Sequence, residues 1–98
     1  MSELLDDTAI DQGIAGLTGW SRDGDSLVRT VELDSFPQAI MVVARVGELA
    51  ERADHHPDID IRWRFLTFRC STHSAGGITT KDITLASDIN STIDAVRA

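Results

Sequence analysis

Three histidines, His55, His56 and His73, are the residues of this sequence whose types and spacing could do chemistry. Two are adjacent in the stretch Glu51-Arg-Ala-Asp-His-His-Pro57, with Glu51 and Asp54 just ahead of them and Asp82 a little beyond the third. Imidazole delivers and removes protons near neutrality because its unperturbed pKa is about 6.5. A single loop histidine is ordinarily just solvated. Three at the ends of elements, with carboxylates close in sequence and Trp20 and Trp63 available as flat apolar walls, point to an acid–base centre or a pocket for a planar ligand. A metal site fits poorly: adjacent residues in an extended loop point apart, no two histidines share a helix face, and the sole thiol, Cys70, reads as mid-strand. Nucleophilic catalysis fits no better. Cys70 alternates with Leu66 and Phe68 as a small core hydrophobe would, and Ser71 and Thr72 lie in no elbow motif.

The elements that must position these groups are legible from periodicity and punctuation. Ile10, Ile14 and Leu17 mark a short helix from about Asp7 to Leu17, weakened by Gly13 and Gly16. Asp23-Gly24 suits a hairpin turn, and Leu27, Arg29, Val31 and Leu33 then alternate as a strand with Val31 and Leu33 inward. Ser35-Phe36-Pro37-Gln38 fits a capping box opening a second helix, with the apolar stripe Phe36, Ile40, Val43, Gly47 and Ala50 and an end near Asp54. Pro57 restricts His56 to extended conformations, so both histidines fall at the helix exit. Residues Ile59 to Thr72 read as one long strand or two with an unmarked break, placing Ile61, Trp63, Phe65 and Thr67 on one face and Leu66, Phe68 and Cys70 on the other. Ser74 to Gly77 is a turn, Ile78 is a candidate short strand, and Thr79-Thr80-Lys81-Asp82 caps a last helix. Its stripe runs through Ile83, Ala86, Ile89 or Asn90, Ile93 and Val96, and a second line through Leu85 and Ile89 suits a partner subunit. Taking two strands beyond Ile59, the expected fold is α+β and two-layered: a four-stranded antiparallel sheet with three helices on one face, in the order α-β-β-α-β-β-α.

Composition bounds the rest. A chain of 98 residues with 42% hydrophobic and 26% charged residues is a single domain, 1–98, of soluble globular type. A net charge of −7 gives no basic face for phosphates, so direct nucleic-acid binding is not expected, and a neutral small molecule or another protein is the expected partner. One cysteine forms no internal disulfide and fits a reducing cytoplasm, and no apolar run approaches the roughly 20 residues of a membrane helix. The acidic start MSELLDDTAIDQ has no export signal.

The spacing of Glu51, His55-His56-Pro57, Trp63, His73 and Asp82 resembles the signature of the pterin-4a-carbinolamine dehydratases. Leu17-Thr18-Gly19-Trp20, the alternating Leu27 to Leu33 with Phe36, Thr72-His73, Gly77-Ile78-Thr79 and Asp82 through Leu85-Ala86 extend the likeness over nearly the whole chain. Trp63 stands where tyrosine is frequent, Arg64 where asparagine is, and Cys70 at an aliphatic position; none of these removes a histidine. The resemblance implies dehydration of a 4a-hydroxytetrahydropterin, the spent cofactor of aromatic amino acid hydroxylases, to the quinonoid dihydropterin, with no cofactor and no metal. It implies His55 and His73 as the acid–base pair, His56 holding and polarising the pterin, Glu51 and Asp82 orienting imidazoles or accepting pterin N–H groups, Trp20 and Trp63 lining the pocket, and Asp54 and Pro57 among the substrate-binding residues. It implies a homodimer or homotetramer. Members of this family also serve as dimerisation cofactors for a transcription factor or in enzyme assembly, which makes a scaffold the competing expectation.

Overall fold

The computed structural model describes residues 3–98. Helix α1, Asp7–Ala15, starts where the Asp6 carboxylate accepts the Ala9 N–H at 2.8 Å. Strands β1, Ser21–Asp23, and β2, Ser26–Glu32, form a hairpin whose turn depends on the positive φ of Gly24. Helix α2, Phe36–Ala53, is capped by Ser35, whose hydroxyl accepts the Gln38 N–H at 3.1 Å; the Gln38 carboxamide reaches one residue past the cap and accepts the Asp34 N–H. Strands β3, Asp58–Arg62, and β4, Phe65–Cys70, follow, and helix α3, Thr80–Arg97, closes the chain. The sheet is antiparallel throughout with order β1-β2-β4-β3.

Directly opposed residues of an antiparallel ladder share a face, so register assigns the two sides. Leu27 faces Cys70, Val31 faces Leu66, and Phe68 lies between Arg29 and Ile59. This side carries the helices: Leu27, Val31, Leu66, Phe68 and Cys70 are buried with Ile10 of α1, Ala39, Val42 and Val46 of α2 and Leu85, Ala86, Ile89 and Ile93 of α3. Burying a side chain the size of Phe68 contributes about 2–3 kcal/mol. The other side, with Thr30, Thr67, Asp58, Asp60 and Arg62, is open.

Four expectations change. The segment from Ile59 is two strands, as one of the two readings had it, and the break falls at Trp63, whose φ of 54° turns the chain left-handed without glycine, asparagine or proline. The break shifts the alternation, so Ile61 lies on the same face as Leu66 and Phe68. On α2 the buried stripe is Ala39, Val42, Val46 and Ala50, and Phe36, Ile40 and Gly47 of the expected stripe are exposed with Met41. Small side chains on the inner line let α2 approach its neighbours closely, which leaves the bulkier line outside. On α3 the line through Leu85 and Ile89 is core, not a second surface. Ile78 adds no strand; an isolated bridge joins Thr72 to Gly77 instead.

Candidate active site

Helix α2 ends on Asp54, whose φ of 50° and ψ of 42° reverse the chain while its N–H bonds back to Ala50 and Glu51 carbonyls. Asp54 itself is exposed, and its role in the fold is that of a helix terminator. The extended run to Pro57 then sends the two histidines apart. His55 turns inward: its Nε2–H donates to Asp82 Oδ1 at 2.7 Å. His56 turns outward and donates from Nε2 to Glu51 Oε1 at 2.7 Å, with side chains 55% and 80% exposed. Glu51 sits in the last turn of α2, where a carboxylate is unfavourable for the helix dipole; its hydrogen bond to His56 gives it a local reason to be there.

Asp82 is wholly buried. Its Oδ2 accepts the Thr72 hydroxyl at 2.8 Å and the Thr79 N–H at 2.9 Å, while the Thr79 hydroxyl lies 2.8 Å from that of Thr72. The carboxylate thus closes the capping box of α3 and holds His55 at the same time. A buried charge is sustained only by such a set of donors. Because one oxygen faces His55 and the other is filled by protein donors, Asp82 orients an imidazole and has no surface to offer a ligand.

His73 stands exposed on the first residue of a single 3-10 turn, His73–Ala75, that follows β4. The turn is organised by Thr72, whose carbonyl accepts the N–H groups of Ala75, Gly76 and Gly77 and whose own N–H bonds to Gly77 O. His56 and His73 line the same cleft, of about 280 Å³, together with Asp25, Ser26, Asp58, Arg69, Ser71 and Gly76. The register explains the company: the β1–β2 turn, the start of β3 and the end of β4 all fall at one end of the sheet. The hairpin is latched there by the Ser71 hydroxyl, which donates to Asp25 O at 2.8 Å, and by Arg69, paired with Asp23 at 3.0 Å. His55 borders a different and smaller recess, of about 170 Å³, between the end of α2 and the start of α3, with Ala53, Thr80, Lys81, Thr84, Leu85 and Asp88.

Several expected site residues lie elsewhere. Trp20 is buried, its indole N–H donating to Asn90 Oδ1 at 2.7 Å beside the guanidinium of Arg29, and it lines no part of the cleft. Burial lowers the pKa of that guanidinium. Trp63 is 64% exposed at the tip of the β3–β4 hairpin, stacked under Arg64 at 4.5 Å. At about 3.3 Å per strand residue it stands roughly 15 Å along β3 from the cleft. Pro57 directs the chain without lining the cleft. Asp25, Ser26, Asp58, Arg69, Ser71, Thr72 and Thr79 were not anticipated; only the strand register, which no local pattern encodes, brings the first five together. Among the described residues no three His, Cys, Asp or Glu side chains converge as a metal cage, and no helix is long and apolar enough to cross a membrane. Burial, reinforced by the charges of Asp82 and Asp58, pushes the Cys70 thiol up to about 12; it is a neutral core group.

Residues 3–92 match the family model described as pterin 4 alpha carbinolamine dehydratase. The chain belongs to the pterin 4 alpha carbinolamine dehydratase family. This is a family of hydro-lyases. Relatives that carry the name pterin-4-alpha-carbinolamine dehydratase include proteins of Nocardia farcinica, 57% identical over 91% of this chain and 94% of that protein, and of Roseiflexus castenholzii, 52% identical over 95% of this chain and 100% of that protein. The dehydratase fold recurs in the crystal structure of a transcriptional coactivator/pterin dehydratase from Brucella melitensis, with a TM-score of 0.86, 24% identity, and 96% of this chain and 98% of that one covered. A pterin dehydratase-like protein described as a RuBisCO assembly factor of the alpha-carboxysome is similar at a TM-score of 0.63 and 13% identity, over 76% of this chain and 86% of that one.

Proposed function

We propose that this protein dehydrates a 4a-hydroxytetrahydropterin, using His56 and His73 as the proton-transfer pair. The observation that carries the reading is the cleft in which these two imidazoles meet two carboxylates in a member of the dehydratase family. Its volume, about 280 Å³, lies at the small end of ligand pockets and suits a bicyclic ring better than a nucleotide. The reaction needs one acid and one base. A protonated imidazole gives its proton to the C4a hydroxyl, the carbon–oxygen bond breaks, and water leaves. The neutral imidazole takes the proton of the adjacent ring nitrogen as the C=N bond forms, giving the quinonoid dihydropterin. Glu51 holds His56 through Nε2 and so presents Nδ1 to the ring.

His55 has a different part here from the one the resemblance suggested. Its ring is 12% exposed, bound to Asp82 on the far side of the extended segment, and it anchors the backbone that aims His56. Dehydration of enzymatically generated 4a-hydroxytetrahydropterin, followed as appearance of the quinonoid product, tests the reading. His56→Ala and His73→Ala lower kcat; collapse in His55→Ala and His73→Ala, with His56→Ala affecting only KM, would restore the resemblance's assignment. The product is the form a reductase would return to the hydroxylase cofactor pool.

A second function, as an assembly or dimerisation factor, is favoured by one feature: the exposed apolar line Phe36, Ile40 and Met41 on α2. Its first use in this reading is a homodimer or homotetramer. The net charge of −7 directs any further contact to proteins, not nucleic acid.

A further inference from the structure

The two cleft histidines come from segments far apart in the chain, the exit of α2 and the turn after β4. The β3–β4 ladder, which pairs Asp58 with Arg69, brings both segments to one end of the sheet, and beyond the last ladder pair side chains add to what holds them. One hydrogen-bonded path joins them. Asp82 Oδ1 accepts from His55 Nε2 at 2.7 Å, Asp82 Oδ2 accepts from the Thr72 hydroxyl at 2.8 Å, and Thr72 is the residue immediately before His73. The members of this path are buried or nearly so: Thr72 is 4% exposed, Asp82 and Thr79 wholly buried. Thr72 is also the hub of the turn that carries His73, through three N–H groups on its carbonyl and its bridge to Gly77. Its hydroxyl proton is committed to Asp82, so the Thr79 hydroxyl donates to Thr72 Oγ1 and itself accepts the Lys81 N–H at 3.2 Å.

From this geometry we infer that Thr72 is a positioning residue of the active site: its hydroxyl, through Asp82, fixes the His73 turn against the His55–His56 segment. The inference rests on the dehydratase reading for its kinetic consequence and on the hydrogen bonds alone for its structural one. Thr72 touches no substrate; it sets the distance across which the two cleft imidazoles work. A side chain of equal shape without the hydroxyl leaves the turn's backbone bonds intact and removes the tether together with the acceptor of the Thr79 hydroxyl, which the serine variant restores. Catalytic geometry is sensitive to shifts of that kind, which is why loss of the tether should appear in kcat and not in KM.

The experiment compares wild type, Thr72→Val and Thr72→Ser in steady-state dehydration of 4a-hydroxytetrahydropterin, with the histidine ring signals recorded by long-range 1H–15N NMR. Thr72→Val is expected to lower kcat at least tenfold with KM within about twofold, and to shift the His55 and His73 ring signals. Thr72→Ser is expected to recover most of the rate and the wild-type spectrum. Wild-type kcat in a folded Thr72→Val, or a Thr72→Ser as slow as Thr72→Val, overturns the inference. Should Thr72→Val fail to fold, the wild-type spectrum decides: the path requires His55 to carry its proton on Nε2, and a His55 protonated only on Nδ1 refutes it. An inactive wild type would refute the dehydratase reading while leaving the ring signals to judge the tether.

Discussion

Asp82→Asn isolates the single buried charge of the site. The carboxylate accepts three hydrogen bonds, from His55 Nε2, the Thr72 hydroxyl and the Thr79 N–H. Asparagine keeps one acceptor oxygen and replaces the other with a donor. If its oxygen stays with Thr72 and Thr79, those two bonds persist between neutral groups and each weakens by roughly 1 kcal/mol. The amide N–H2 then meets the His55 N–H, and the clash of donors is relieved only if the ring moves its proton from Nε2 to Nδ1. That third bond is lost or reversed at a further cost on the order of 1–2 kcal/mol. The variant should therefore be less stable by about 3–4 kcal/mol, against a total of about 5–15 kcal/mol for a domain of this kind, and remain folded at 25 °C. Urea denaturation at neutral pH measures the loss, and 15N NMR of the histidine rings reads the tautomer of His55. A variant within about 0.5 kcal/mol of wild type, with His55 still protonated on Nε2, would refute the claim that Asp82 holds that ring.

Other consequences follow from particular groups. The Cys70 thiol, pushed up to about 12 by burial, keeps its proton in the folded state while the unfolded thiol loses it above about 8.5. The unfolded state binds fewer protons in that window, so stability is unaffected below it and falls as pH rises through it, by at most about 1.4 kcal/mol per pH unit; Cys70→Val should remove this part of the slope in denaturation curves taken between pH 8 and 11. Gly19 has a φ of +83°, and a Cβ there would lie 2.7 Å from Arg29 Nε, a side chain tied to Asn90; Gly19→Ala should cost about 1–3 kcal/mol in a thermal or urea melt. Phe36→Asp combined with Ile40→Asp should reduce the solution mass to that of the monomer in light scattering, because these side chains are 48% and 41% exposed on the outer line of α2.

How far the sequence foretold this structure varies with how local the cause is. Caps and turns were readable because Asp23-Gly24, Ser35-Phe36-Pro37-Gln38 and Thr79 to Asp82 act on their own backbone neighbours. The break at Trp63 was not, since the left-handed residue is a tryptophan stabilised by its packing under Arg64 and beside Phe65, at a ring separation of 6.1 Å. On α2, hydropathy favoured the line with Phe36 and Ile40, whereas helix approach selected the smaller residues. The argument that neighbours in an extended loop point apart was available for His55 and His56 and holds in the structure; it separates the Asp82-bound ring from the cleft-facing one. Trp20 and Trp63 were grouped with the histidines by type, but their contacts are with Asn90 and Arg64. The cleft walls from β2, β3 and β4 needed the strand register, which is a tertiary property.

The measurement that bears most directly on the central claim is the rate of 4a-hydroxytetrahydropterin dehydration by wild type, His56→Ala and His73→Ala at saturating substrate. Wild type should exceed the uncatalysed rate, and each variant should lose roughly 10²- to 10⁴-fold in kcat while keeping the wild-type melting profile, as expected when a proton-transfer group is removed. A wild-type protein that leaves the uncatalysed rate unchanged, or two alanine variants with wild-type kcat, would contradict the account.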